Sequence, residues 1–500
     1  MAPNSVIRGS TVSQEETEAY APLASPQKVS VEPSVVARAI LFMSVGLSLL
    51  HPMQYGWSVS QVNLSTFHND DDCNARPVAP GTCLMFPGHS SASWKWVVNL
   101  WIVGGIIGSL GCARISDKFG RKKALMLNAL VMIVGAVIQA SASSVGVYAF
   151  GRFVSGLASG AGSVLVNGYI NEISPPHLRN LLGALYQSLL GIGVILVASS
   201  FFFADTSSGW RYIGGFPIIL GAVFLLGAPI WMVESPAWLL TQGRRDEARQ
   251  VLTRLYGPES VELALSWLES SQEVEEGEES EVTEAPVNPW KALVSPEVRQ
   301  QTLVAIMLSI SQQMSGINIV FFYSSSMFKD AGLDDDRIGT IIVIIMSVLP
   351  TFFSGRLGSR IGNRRVIIGG HIGMMLAATG IIISLSVSSP VISIVFTALY
   401  VACFALSLGP LVFVILTSIF PDWLRSSGTS LCLFINWLGA LVIGIGYPYV
   451  SDALDDLGFL PFVILLAGFG LFMHKFLPET AGKTTDEIQS LFRREPETTK

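Results

Sequence analysis

Twelve apolar blocks alternate with polar intervals along this chain, centred near residues 48, 104, 133, 158, 193, 222, 311, 346, 376, 404, 437 and 467. A helix rises 1.5 Å per residue, so about 20 apolar residues cross ~30 Å of hydrocarbon. Each block therefore predicts one membrane-spanning helix, and the fold class is an all-α polytopic membrane protein. Six blocks lie on each side of one long polar interval. Of the short intervals, "ARISDKFGRKK" from Ala113 and "GRLGSRIGNRR" from Gly355 are basic, while "FHNDDDC", "KDAGLDDDR" and "SDALDDLG" on the alternate loops are acidic. Basic loops stay on the cytoplasmic side, which puts both termini there.

The predicted organisation follows: a polar tail over 1–34, a first six-helix bundle over 35–233 with a non-cytoplasmic loop at 63–92, a cytoplasmic interval over 234–298, a second bundle over 299–477, and a tail over 478–500. The first tail is Ser/Glu/Pro-rich and reads as disordered, with no cleavable signal. In the central interval Ala248, Val251, Leu252 and Leu255 fall at the spacing of an amphipathic helix. The acidic stretch "ESSQEVEEGEESEVTEAP" that follows reads as a solvated tether, or as the site of phosphorylation at Ser270, Ser271 or Ser280.

Composition agrees with the pattern. Of 500 residues 50% are hydrophobic and 14% charged, against about 25% charged in soluble proteins, so much of the surface faces lipid. The formal charge of −6 resides in loops and the central interval; it implies no nucleic-acid partner. Cys112, Cys403 and Cys432 fall in spans and read as small core residues. Cys73 and Cys83 share the non-cytoplasmic loop, where a disulfide can form. Asn63-Leu64-Ser65 in the same loop is a glycosylation sequon. No metal-ligand spacing, nucleophile motif or phosphate loop occurs, so no cofactor and no enzymatic chemistry are expected. Gly156 and Gly160 read as close helix packing.

The two halves match in three places. "DKFGRKK" at Asp117 answers "SRIGNRR" at Ser359, "EISPPHLR" at Glu172 answers "SIFPDWLR" at Ser418, and "VESP" at Val233 answers "LPET" at Leu477, at offsets of 242 to 246 residues. One order at one spacing argues for duplication of a six-span bundle. Parallel repeats of this kind build the major facilitator transporters, whose site lies between the halves near mid-membrane.

Span seven carries Gln312, Gln313 and Asn318, amides that hydrocarbon cannot satisfy. On an unbroken helix they could not share a face, at 100° per residue. Ser315-Gly316 between them is a place for a break, which would let all three converge. Amides both donate and accept, matching sugar hydroxyls. Phe321, Phe322 and Tyr323 follow, as an outer lid or as a lipid-facing belt.

"QQMSGIN", "DKFGRKK", "GRFVSG", "VESPAWLL" and "LPETAGKTTDEI" together resemble the sugar porter family, and most closely its facilitative hexose transporters, over about Tyr55 to Ile488. The resemblance implies a sugar site at Gln187, Gln312, Gln313, Asn318, Asn436 and Trp437, with Phe413 where relatives have a tryptophan beneath the sugar. Ser347, Ala405 and Ala440 replace polar residues of similar transporters, which leaves a smaller, less polar floor. Arg121, Arg152 and Arg179 with Glu172 and Glu234, and Arg364 and Arg425 with Glu479, read as an inner gate of ion pairs across the bundles, or as positive-inside anchors. Ser359 and Ser418 stand where the family has acids, predicting a weaker latch in the second half.

Proton coupling needs a titratable group in the membrane. Ser58 occupies the place of the symporters' aspartate, and no Asp or Glu falls at mid-span. His51 and His371 are the titratable residues left in the spans, and they read as hydrogen-bonded packing residues. The expectation is a hexose uniporter in the lipid bilayer of the plasma membrane or an organelle, with a proton-coupled sugar or polyol symporter and a non-transporting sugar sensor as alternatives.

Overall fold

In the computed structural model the described residues are 36–68, 70–266, 268, 289–330, 336–387, 389–483 and 485–493. The expected tail over 1–34 lies outside them, and so do Ser270, Ser271 and Ser280. Among the described residues the structure is helical, without strands.

Among the described residues twelve spans are present. The first half comprises Ala39–Ser48 continued by Leu50–Ser60, then Ser91–Phe119, Arg121–Ser141, Val145–Ile173, Pro176–Ala204, and Gly209–Gly215 continued by Pro217–Trp231. The second comprises Arg299–Met314 continued by Ile317–Asp330, Asp336–Val348 continued by Thr351–Ile361, Asn363–Ser386, Pro390–Leu406 continued by Leu408–Ile419, Asp422–Leu454 and Leu460–Phe476. Ten are long and apolar enough to cross a membrane as helices or collinear pairs; the first is two short pieces and Leu460–Phe476 is shorter.

Missing proline donors explain most of the interruptions. Pro52 and Pro410 cannot bond the carbonyls of Ser48 and Leu406, and the first and tenth spans break at Leu49 and Ser407. Pro217 and Pro350 sit directly at the breaks in the sixth and eighth. The seventh breaks at Ser315-Gly316, where Gly316 adopts φ +84°, a conformation open to glycine and strained for other residues.

Packing repeats between the halves. The first span packs on the fifth, the second on the fourth and the third on the sixth; correspondingly the seventh packs on the eleventh, the eighth on the tenth and the ninth on the twelfth. The halves meet where the second span touches the eleventh and the fifth touches the eighth, itself a symmetric pair of contacts. Gly156 and Gly160 allow the fourth span to approach the second so closely that a Cβ on either would collide with the carbonyl of Trp101 or Gly105. Between the halves, Arg245–Tyr256 forms the expected amphipathic helix, burying Ala248, Leu252 and Leu255.

Candidate functional site

The break in the seventh span turns its amides toward the eleventh. Gln313 Nε2 donates to Asn436 Oδ1 at 2.8 Å, Asn318 Nδ2 donates to Gln313 Oε1 at 2.5 Å, and Asn436 Nδ2 donates to Gln312 Oε1 at 2.6 Å. Gln312 Nε2 is held by the carbonyls of Leu408 and Gly409 at 2.8 and 3.0 Å, just past the break in the tenth span. Four amides thus form one chain of hydrogen bonds. Gln313, Asn318 and Asn436 line a cavity between the halves, whereas buried Gln312 stands behind them.

Across the cavity the first half contributes Tyr55, Val59, Trp101 and Ile102. The Trp437 ring lies 5.6 Å from both Tyr55 and Trp101, nearly parallel to the former and edge-on to the latter. Phe322 and Ala440 complete the wall. The volume is about 20 Å³, room for a water and not for a hexose, so the site stands closed. Tyr55 and Trp101 escaped the sequence reading; the signal available was a large aromatic in each of the first two spans, with Gly105 one turn on from Trp101 facing Trp437.

The other expected residues separate into those near the cavity and those elsewhere. Gln187 is half-buried on the fifth span but does not line the cavity, and neither does Phe413, which is 36% exposed. Ser347 donates to the Ile344 carbonyl of its own helix. Phe321 is half-buried beside buried Phe322, and the side chain of Tyr323 lies outside the described residues. His51 accepts from Asn128 Nδ2 at 3.2 Å and His371 bonds the Ile367 carbonyl, both inside their own half.

The outer seam is closed by bonds between halves. Ser60 Oγ donates to the Phe321 carbonyl at 3.1 Å, Asn63 Nδ2 to Ser324 Oγ at 2.9 Å, and Asn99 Nδ2 to the Gly444 carbonyl at 3.2 Å. Arg337 pairs with Asp205 at 3.2 Å, and Asp205 also accepts from Thr66 at 2.6 Å. This corrects the sequon reading: Asn63 is 2% exposed, and the nitrogen that would carry a glycan faces the opposite half. Cys73 and Cys83 are joined by a disulfide.

At the inner end, Arg121, Glu172, Glu234, Arg364 and Glu479 bond within their own halves. Arg121 pairs with Glu172 at 2.9 Å and Asp117 at 3.0 Å, and Glu234 accepts the backbone N–H groups of Arg121 and Lys122 at 2.8 and 3.1 Å. In the second half Glu479 accepts the N–H of Asn363 at 2.8 Å, and Arg364 donates to the His474 carbonyl. Arg425 is half-buried near the start of the eleventh span, and the side chain of Arg179 lies outside the described residues.

Arg152 requires a correction. The fourth span runs from the outer to the inner side, so Arg152, 20 residues before Glu172 on one helix, is about 30 Å from it. Arg152 is wholly buried near the outer end, donating to the carbonyls of Ser58 at 2.5 Å and Val97 at 3.2 Å, with the Trp101 ring 5.3 Å away.

Two duplicated six-helix bundles closing on a polar and aromatic cavity define a major facilitator transporter. The inward-open xylose transporter XylE of E. coli is similar in fold, with a TM-score of 0.74 at 22% identity over 90% of this chain and 99% of that one. The family model described as "Sugar (and other) transporter" matches residues 40–492, and the chain belongs to that family. Its members are transporters, not enzymes. Among curated relatives, human solute carrier family 2, facilitated glucose transporter member 4 is 31% identical over 91% of both chains. The glucose transporter GlcP of Staphylococcus epidermidis is 31% identical over 79% of this chain and 87% of its own.

Proposed function

We propose that this sugar transporter is a uniporter carrying a hexose such as glucose or fructose down its gradient by alternating access, in the plasma membrane. The observation that carries the reading is the neutral chain of amides, Gln312, Asn436, Gln313 and Asn318, of which the last three line a cavity without a carboxylate. Each amide offers a donor and an acceptor to a ring hydroxyl, and the faces of Trp437, Tyr55 and Trp101 suit the apolar C–H face of a pyranose. The buried cation of Arg152 bonds the backbone carbonyl of Ser58. With no acid at Ser58 to gain and lose a proton beside it, the first span offers no carboxylate for coupling. The curated relatives named for glucose support the substrate class.

The cavity is too small for its substrate, so binding must accompany dilation, and alternating access supplies it: rocking about the seams between the second and eleventh and the fifth and eighth spans opens one side as the other closes. The described bonds of Arg121, Glu172, Glu234 and Glu479 lie within one half, whereas those of the outer seam cross between the halves.

Uptake of labelled glucose, fructose and myo-inositol into proteoliposomes, with and without an imposed pH gradient, tests the reading. Saturable equilibration indifferent to pH is expected. Accumulation above the outside concentration, abolished by an uncoupler, would replace the uniporter by a proton symporter. Gln313→Ala removes one hydroxyl partner and is expected to weaken sugar binding by about 1–3 kcal/mol, read as a raised half-saturation concentration.

A further inference from the structure

The outer loop between the first two spans places two imidazoles in contact. His68 Nδ1 lies 2.7 Å from His89 Nε2, although the residues are 21 apart in sequence. The Cys73–Cys83 disulfide staples the loop between them, and Trp94, in the first turn of the second span, stacks on both rings at 4.5 and 5.1 Å. Further, the Leu84 N–H bonds the Thr66 carbonyl at 2.8 Å, fixing the two arms beside each other. Both histidines are therefore held on a rigid frame.

The frame also sets which atoms face each other. His89 Nδ1 is 3.0 Å from the Phe86 carbonyl, which accepts and cannot donate, so Nδ1 carries the proton and Nε2 presents its lone pair toward His68. Fixing one ring nitrogen on a backbone carbonyl so that the other can ligate is the arrangement found behind metal-binding histidines. Metal–imidazole bonds of about 2.0–2.1 Å put two such nitrogens roughly 2.9 Å apart at a right angle and roughly 3.3 Å apart in a tetrahedron. From 2.7 Å a cis pair needs an opening of only a few tenths of an ångström.

We propose that His68 Nδ1 and His89 Nε2 bind one borderline divalent transition-metal ion, of the copper, nickel or zinc class, on the outer face of the protein. The ion replaces the proton shared between the rings, His68 taking its own proton on Nε2, and water fills the remaining coordination positions. Cys73 lies within 4.8 Å of both imidazoles, but its sulfur is committed to the disulfide and is not a ligand. The site stands apart from the transport reading, so either can fail alone.

The test uses the full chain, purified without a histidine tag and without reductant, and titrated with Cu²⁺. One ion per chain retained through equilibrium dialysis, with a copper–imidazole absorption band and partial quenching of tryptophan fluorescence, is expected. His68→Gln and His89→Gln should each lower the affinity at least tenfold while melting within a few degrees of the parent. Failure of the parent to retain the ion at micromolar concentration would overturn the proposal. Retention unchanged in both variants would overturn it too, assigning the ion to other groups of the chain. Binding that appears only after the disulfide is reduced would likewise replace the two-imidazole site by a thiolate one.

Discussion

The inner ends of the two halves solve one problem in two ways. In each, a glutamate after the last span of its half caps the helix that opens the half's third span: Glu234 takes the N–H groups of Arg121, Lys122 and Ser235, and Glu479 those of Asn363, Thr480 and Ala481. Carboxylates at helix N-termini satisfy open donors and meet the positive end of the helix dipole. Around this shared cap the chemistry diverges. Asp117, Arg121 and Glu172 form ion pairs, whereas their counterparts Ser359, Asn363 and Ser418 are neutral and bond Arg356 O, Thr480 Oγ1 and Ile415 O. Cation and acids are replaced together, so no charge is stranded. The cap is thus the part the architecture requires, and the ion pair is a separable addition.

The cap is where the largest effect is expected. Gly120 and Gly362 hold φ of +92° and +98°, and a Cβ on either would press on the capping carboxylate of Glu234 or Glu479. Gly120→Ala and Gly362→Ala should each cost about 1–3 kcal/mol, lowering the melting temperature in detergent by similar amounts. A variant tolerated in one half alone would break the equivalence.

Smaller, and confined to one half, is the effect of Glu172→Gln. The pair with Arg121 is about one-fifth exposed on either side, and its loss should cost about 1 kcal/mol. Ser418→Gln, its counterpart, should be close to neutral; equal losses in thermal melts would show that the ion pair contributes nothing distinctive.

Adding Asn363→Arg and Ser418→Glu together should recover a coupling of about 0.5 kcal/mol over the sum of the single changes, fading as salt is raised. Additivity at low salt would mean that the second half cannot hold the pair.

Smallest of all is the exposed surface pair of Arg244 and Glu247 on the linker helix. Hydrogen bonding to Arg244 holds the Glu247 carboxyl below its ordinary value. Any stability it adds is present above the unfolded pKa of about 4.3 and disappears as pH falls through the folded value. Arg244→Ala should leave melting unchanged between pH 5 and 8, which sets the floor against which the inner clusters are read.

Much of this was legible in the sequence for physical reasons. Apolar blocks of bilayer length announce themselves, and Ser315-Gly316 between three amides signals a break because the amides have no other way to meet. Asn436 came from the resemblance alone, and its bonds to Gln312 and Gln313 join residues more than 120 apart in the chain. Arg152 was misplaced because its motif was grouped with the inner arginines; counting spans from the basic loops puts it at the outer end. The sequon at Asn63 is a tripeptide and carries no record of the other half closing over it. Nothing local to Asp205 or Arg337 announces their pairing, which depends on how two bundles dock.

The amides of the closed cavity are already bonded to one another, and that sets the terms on which a sugar enters. A ring hydroxyl that displaces one of these bonds exchanges one bond for another, so the gain is less than the bond's full strength. Such a carrier trades affinity for turnover: the resting protein keeps its polar groups satisfied, and a bound sugar meets little resistance when the time comes to leave.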